Sequence, residues 1–192
     1  MSPPRLLVLT DRTQAARPLA DTVAAAVDAG ARAVVLREKD LPDAERRAIA
    51  ADLRALLAPA GGLLVVGGAA GFEPGDAVHL AARDAVPTPR PPLLGRSCHS
   101  AAEVAQARAE ECDWVLVSPV FPTASKPGYG PALGTGGLAA LLAGGPPGFA
   151  LGGVQPDDVA GCLAAGAHGV AVMGPLMRDP ELAADYLAAL AA

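Results

Sequence analysis

Eight short apolar runs rich in Val and Leu punctuate the chain, at residues 6–10, 33–37, 63–66, 77–80, 93–95, 114–118, 149–151 and 169–172. Most are followed by an Ala/Leu-rich stretch whose apolar positions recur at helical spacing, and the clearest of these cover 18–29, 43–57, 101–111, 156–165 and 180–191. Ser100 and Asp179 stand where N-caps belong, and Gly30 and Gly166 lie just past helix C-termini. Strand followed by helix, repeated, is the βαβα pattern of a parallel sheet. Between the third and fourth runs, and again between the fourth and fifth, there is little room for a helix. Eight units in 192 residues average about 24 each, so a (β/α)8 TIM barrel, commonly ~250 residues, has to be trimmed at those two connections. A doubly wound open sheet competes at this length but needs fewer strands. The chain is therefore expected to be an α/β protein, a trimmed (β/α)8 TIM barrel forming a single domain over 1–192.

Composition sharpens this picture in three ways. With 22 Gly and 19 Pro the chain has the punctuation that many short elements require. A formal net charge of −5 argues against nucleic acid, because phosphate neutralisation needs clustered cations; any phosphate held must be on a small molecule. Cys98, Cys112 and Cys162 are far apart with no CxxC pair, so no disulfide framework or zinc site is indicated. The apolar run near the N-terminus is too short for the core of a signal peptide, which points to a cytoplasmic protein. Residues 127–156 carry no charge, but their repeated Gly and the Pro146-Pro147-Gly148 break exclude a membrane span.

Chemistry gathers at the ends of the predicted strands. Alternation along the second strand puts Val35, Arg37 and Lys39 on one face and Glu38 on the other, projecting two cations at the C-terminal mouth where barrel active sites lie. A solvated charged turn is the competing reading. Only two of the 15 cations are Lys, Lys39 and Lys126, and both fall in strand-end loops, where a flexible ammonium suits a phosphate or diphosphate. The loop after the sixth strand offers Thr123, Ser125 and Lys126 between prolines, two hydroxyls and a cation suited to an oxyanion; an ordinary surface loop is the alternative. Gly152-Gly153 after strand seven and Met173-Gly174 after strand eight are turns whose backbone N–H groups can hold a phosphate, at the two strands where barrels commonly build such a site. Asp84 is a candidate Mg²⁺ ligand, or else a surface loop carboxylate. His79 and His168 suit structural roles, while His99 sits just past strand five.

In order along the chain, VLREKD, VHL with Asp84 shortly after, GRSCHS, SPVFPTASKPG, ALGGV and AGAHGVAVMG together resemble the thiamin phosphate synthase/TenI family of (β/α)8 barrels. The resemblance implies an enzyme joining hydroxymethylpyrimidine diphosphate to hydroxyethylthiazole phosphate: the pyrimidine loses diphosphate and the thiazole nitrogen attacks the cationic carbon. It implies that Arg37, Lys39, Ser97, Thr123, Ser125 and Lys126 hold the pyrimidine diphosphate and that Asp84 ligates Mg²⁺. Gly152, Gly153, Met173 and Gly174 present backbone donors to the thiazole phosphate. The partners implied are phosphate and diphosphate esters, with a small homo-oligomer. Val35 stands where the family has Gln, and Gly67-Gly68 where it has Asn-Asp, which removes a pyrimidine hydrogen-bonding group and one metal ligand. The family's other branch, the TenI-like thiazole tautomerases, uses a His on strand six where this chain has Pro119, and tends to lack the Lys and Asp present here as Lys39 and Asp84. The retained polar residues favour the synthase; a non-catalytic thiazole-phosphate-binding regulator is a third reading.

Overall fold

A computed structural model describes residues 3–68, 71–123 and 131–192. Eight strands, β1 (Leu6–Leu9), β2 (Ala33–Leu36), β3 (Leu63–Gly67), β4 (Ala77–Leu80), β5 (Leu93–Cys98), β6 (Trp114–Val117), β7 (Gly148–Leu151) and β8 (Gly169–Val172), pair in parallel with their sequence neighbours. β8 returns to β1, with Leu6 opposite Val170 and Val8 opposite Val172, and closes the barrel. The helices are α1 (Leu19–Asp28), α2 (Asp43–Leu57), α3 (Ala101–Ala109), α4 (Gly134–Leu142), α5 (Val159–Ala164), α6 (Gly174–Arg178) and α7 (Ala183–Ala191). Among the described residues no helix separates β3 from β4 or β4 from β5, so the trimming falls at the expected connections.

Each strand is buried on both faces, which explains why the strands read as continuous apolar runs rather than alternating ones. Inward positions, among them Leu7, Leu9, Ala33, Val35, Ala77, Trp114, Leu116 and Phe149, fill the barrel. Outward positions such as Leu6, Val8, Val34 and Leu94 pack against the helices through Val23 and Ala26 of α1, Leu53 and Leu57 of α2, and Tyr186 and Leu190 of α7. The interior is a jigsaw of unequal sizes. Trp114, fully buried, lies across Gly95 on the neighbouring strand, where a Cβ would fall onto its indole Cε2 and Nε1. Large against small is how a narrow barrel fills its centre without voids.

Two features depart from the sequence pattern. β5 runs on to Cys98 through Arg96, whose side chain is fully buried on the outward face. Its guanidinium donates to the carbonyls of Ala81 (3.0 Å) and Ala82 (2.9 Å) and pairs with Glu110 at 2.5 Å. It thus pins the β4–β5 connection where no helix covers the barrel. α4 begins Gly-Thr-Gly-Gly, a composition hostile to helix. Tertiary contacts override it: Leu138 is fully buried, and the N–H groups of Leu133 and Gly134 donate to Pro119 and Val120 carbonyls after β6. The sequence pattern also placed whole helices from Pro156 and Pro180, where the chain makes 3-10 turns before α5 and α7.

Candidate active site

At the C-terminal mouth of the barrel lies a cavity of about 240 Å³. Arg37, Ser97, Thr123, Gly152, Gly153, Met173 and Gly174, all expected at the site, line it together. Ser125 and Lys126 lie outside the described residues. Lys39 and Asp84 stand beside the cavity rather than on its wall. β2 ends at Leu36, so the alternation that places Val35 inside and Arg37 at the mouth does not continue to Lys39, which sits in the following turn.

The floor is built from β4, β5 and β6. The His79 ring stacks over the Trp114 indole with centroids 6.2 Å apart and planes inclined by 19°. Its Nε2 shares a 2.9 Å hydrogen bond with Ser97 Oγ, which fixes that hydroxyl against the cavity. Burial pushes the imidazole down to about 3, with Lys39, Arg37 and Arg96 adding to the shift, so the ring is neutral at any working pH. His79 is thus a wall residue of the site as well as a structural one.

Arg37 crosses the mouth. Its backbone N–H donates to Thr10 Oγ1 (2.9 Å), and its Nη1 reaches Met173 Sδ after β8 at 2.7 Å. Next to it, Glu38 is buried and accepts from the Arg12 backbone and guanidinium, and the same guanidinium chelates Asp40. The acidic half of the motif therefore ties the β1 and β2 loops together, while Arg37 lines the site. Partial burial lowers the Lys39 ammonium below the ordinary lysine value; neighbouring Asp84 opposes the shift, and Arg37 and Arg46 add to it. Asp84 accepts the Ala81 N–H at 2.8 Å through Oδ2.

The glycine turn after β7 has a steric reason beside a chemical one. Gly152 (φ 95°) and Gly153 (φ 69°) are in the left-handed region. A Cβ at Gly152 would lie 3.0 Å from Pro119 Cα, and one at Gly153 would strike the Pro122 carbonyl, so the turn tucks beneath the loop after β6 with its backbone along the cavity. His99 buttresses the same loop, its Nδ1 lying 2.7 Å from the Ser118 carbonyl oxygen.

Sequence reasoning overlooked the polar wall residues Gln14, Gln155 and Arg178, and gave His79 a structural role alone. Parity within β4 carried a signal for His79, since Ala77 two residues earlier points inward. Gln14 and Arg178 sit in a loop and at a helix end and had no such signal. Although the chain as a whole is acidic, the described lining contains no carboxylate, and its only ionised side chains are Arg37 and Arg178. The cavity is thus suited to an anionic ligand with an apolar middle. Among the described residues, no three His, Cys, Asp or Glu side chains gather into a metal site, and no helix is long and apolar enough to cross a membrane.

The family model described as thiamine monophosphate synthase matches residues 6–176. The thiamine-phosphate synthase of Xanthobacter autotrophicus is 38% identical over 198 aligned residues, covering 95% of this chain and 92% of that protein. The thiamine-phosphate synthase of Moorella thermoacetica is 33% identical over 190, covering 93% and 90%. Among solved structures, the thiamine phosphate pyrophosphorylase from Pyrococcus furiosus superposes with a TM-score of 0.83 at 25% identity, over 97% of this chain and 95% of that one.

Proposed function

The chain belongs to the thiamine monophosphate synthase family, and from that premise we propose that it is a transferase joining hydroxymethylpyrimidine diphosphate to hydroxyethylthiazole phosphate. The observation that carries this reading is the single cavity in which Arg37 and Ser97 meet the glycine turns after β7 and β8, so that two phosphorylated substrates can lie over one floor.

The pyrimidine methylene C–O bond breaks with its electron pair leaving on the diphosphate, and the thiazole nitrogen closes on the cationic carbon. Arg37, Lys39 and Lys126 hold the departing diphosphate as its charge grows, the kind of electrostatic assistance that raises turnover most. Neutral His79 orients the Ser97 hydroxyl, and Thr123 and Ser125 supply further hydroxyl donors from the loop after β6. The backbone at Gly152, Gly153, Met173 and Gly174 receives the thiazole phosphate. The β3 end contributes Gly67 and Gly68 and no carboxylate, and a side chain starting at Gly68 would lie 3.9 Å from both Lys39 Cε and Arg46 Nη2. We infer that Asp84 would be the carboxylate to hold Mg²⁺, an ion content with one carboxylate, substrate oxygens and water. When bound there it would help neutralise the diphosphate.

Incubating the protein with both precursors and Mg²⁺ and following thiamin phosphate tests this directly. Product formation is expected. No product at any Mg²⁺ concentration, together with retained thiazole phosphate binding, overturns it in favour of a TenI-like or purely binding role.

A further inference from the structure

We propose that Arg178 is the side-chain clamp of the phosphate subsite, a charged partner for the group that the glycine turns receive. The inference rests on the proposed function for the identity of the phosphate ester, but the geometry is independent of it. Arg178 closes α6, one turn beyond Gly174, and its guanidinium folds back over that residue. A Cβ on Gly174 would lie 3.0 Å from Arg178 Nη1 and 3.6 Å from Nη2. Beside the same point stands the Gln14 amide, its Oε1 2.9 Å away. Gln14 is held there by its own Nε2, which donates to Asp11 Oδ2 at 2.6 Å.

Arg178 is exposed at the mouth, and two observations tie it to the cavity. Arg178 is part of the cavity wall, together with Gly152, Gly153 and Gly174. Among the described residues no hydrogen bond or ion pair occupies its guanidinium, whereas Arg12, Arg17, Arg54 and Arg96 are each engaged with carboxylates. A guanidinium left with five donors, facing backbone that lacks a side chain, matches a phosphate oxygen pair in both charge and shape. Backbone N–H groups orient such a ligand but carry no net charge; Arg178 supplies it.

Titration of hydroxyethylthiazole phosphate into the wild type, Arg178→Met and Arg178→Lys tests the assignment, with unphosphorylated hydroxyethylthiazole as the control ligand. Arg178→Met is expected to weaken phosphate-ester binding about tenfold to a hundredfold, the worth of a charge-assisted pair of hydrogen bonds. Lysine should restore part of that loss, and the unphosphorylated ligand should bind all three proteins alike. In turnover, KM for the thiazole phosphate should rise while KM for the pyrimidine diphosphate stays put. Equal affinity of the wild type and Arg178→Met for the phosphate ester overturns the proposal. If instead the wild type ignores the thiazole phosphate, the proposed function fails. Arg178 is then judged with inorganic phosphate as the probe: weaker phosphate binding by Arg178→Met supports the clamp, and equal binding overturns it.

Discussion

His79 makes the protein's stability depend on pH in a way that can be worked out in advance. In the unfolded chain its imidazole titrates near 6.5, whereas burial against Trp114, with Lys39, Arg37 and Arg96 nearby, brings it down to about 3 in the folded state. The folded protein therefore keeps the neutral ring while the unfolded chain takes up a proton as soon as pH drops below 6.5. The stabilisation is fully present above that pH and shrinks as pH falls, until the folded ring itself protonates near 3. Each unit is worth ~1.4 kcal/mol, so the move from pH 7 to pH 5 should cost about 2 kcal/mol through this residue alone. Urea unfolding of the wild type and His79→Gln at pH 7, 6 and 5 isolates the effect, because carboxylates common to both proteins cancel in the difference. The variant starts less stable at pH 7, having lost packing and the Ser97 bond. Between pH 7 and 5 the wild type should lose about 2 kcal/mol more than the variant does. Parallel pH dependences would refute the depressed titration and the dry, cationic surroundings that cause it.

Two further outcomes are expected. Gly95→Ala sets a methyl group against the Trp114 indole, 2.6 Å from Cζ2 and closer still to Cε2 and Nε1, and should destabilise by about 3 kcal/mol, the upper end of overpacking costs. Adding Trp114→Leu should recover part of that loss in urea unfolding, and strictly additive effects would show that the two do not collide. Asp84→Ala should raise the Mg²⁺ concentration for half-maximal rate about tenfold and weaken Mg²⁺ binding measured without substrates turning over; an unchanged requirement would remove Asp84 from the metal's coordination.

The barrel was legible because each strand is buried on both faces and announces itself as an unbroken apolar run. β5 was read three residues short, as 93–95, because a charge and a hydroxyl interrupt it, and what permits Arg96 inside is a set of partners at Ala81, Ala82 and Glu110 that no local pattern reveals. α4 was passed over for the same reason in reverse: its glycines argue locally against helix, and the burial of Leu138 outweighs them only in the assembled fold. At the site, strand-end position was enough to find Arg37 and the glycine turns, and the family resemblance added Ser97. For Lys39 the alternation argument does not hold, because β2 ends at Leu36 and Lys39 lies in the turn beyond it. Strand-end position could not reach Gln14 or Arg178, whose places depend on how a loop and a helix end fold back over Gly174.

The arginine under the uncovered quadrant of the barrel also constrains how this lineage can change. Arg96 and Glu110 form a pair in which one member is wholly withdrawn from water, and the strand below has no helix to replace what they hold. Losing Glu110 strands the buried guanidinium as an uncompensated charge, a far worse state than losing both to well-fitted apolar residues. Loss of either charge alone is expected to cost more than paired apolar replacement. Positions 96 and 110 should accordingly drift as one unit, and a descendant that acquires a covering helix between β4 and β5 would be the first in which the two are free to part.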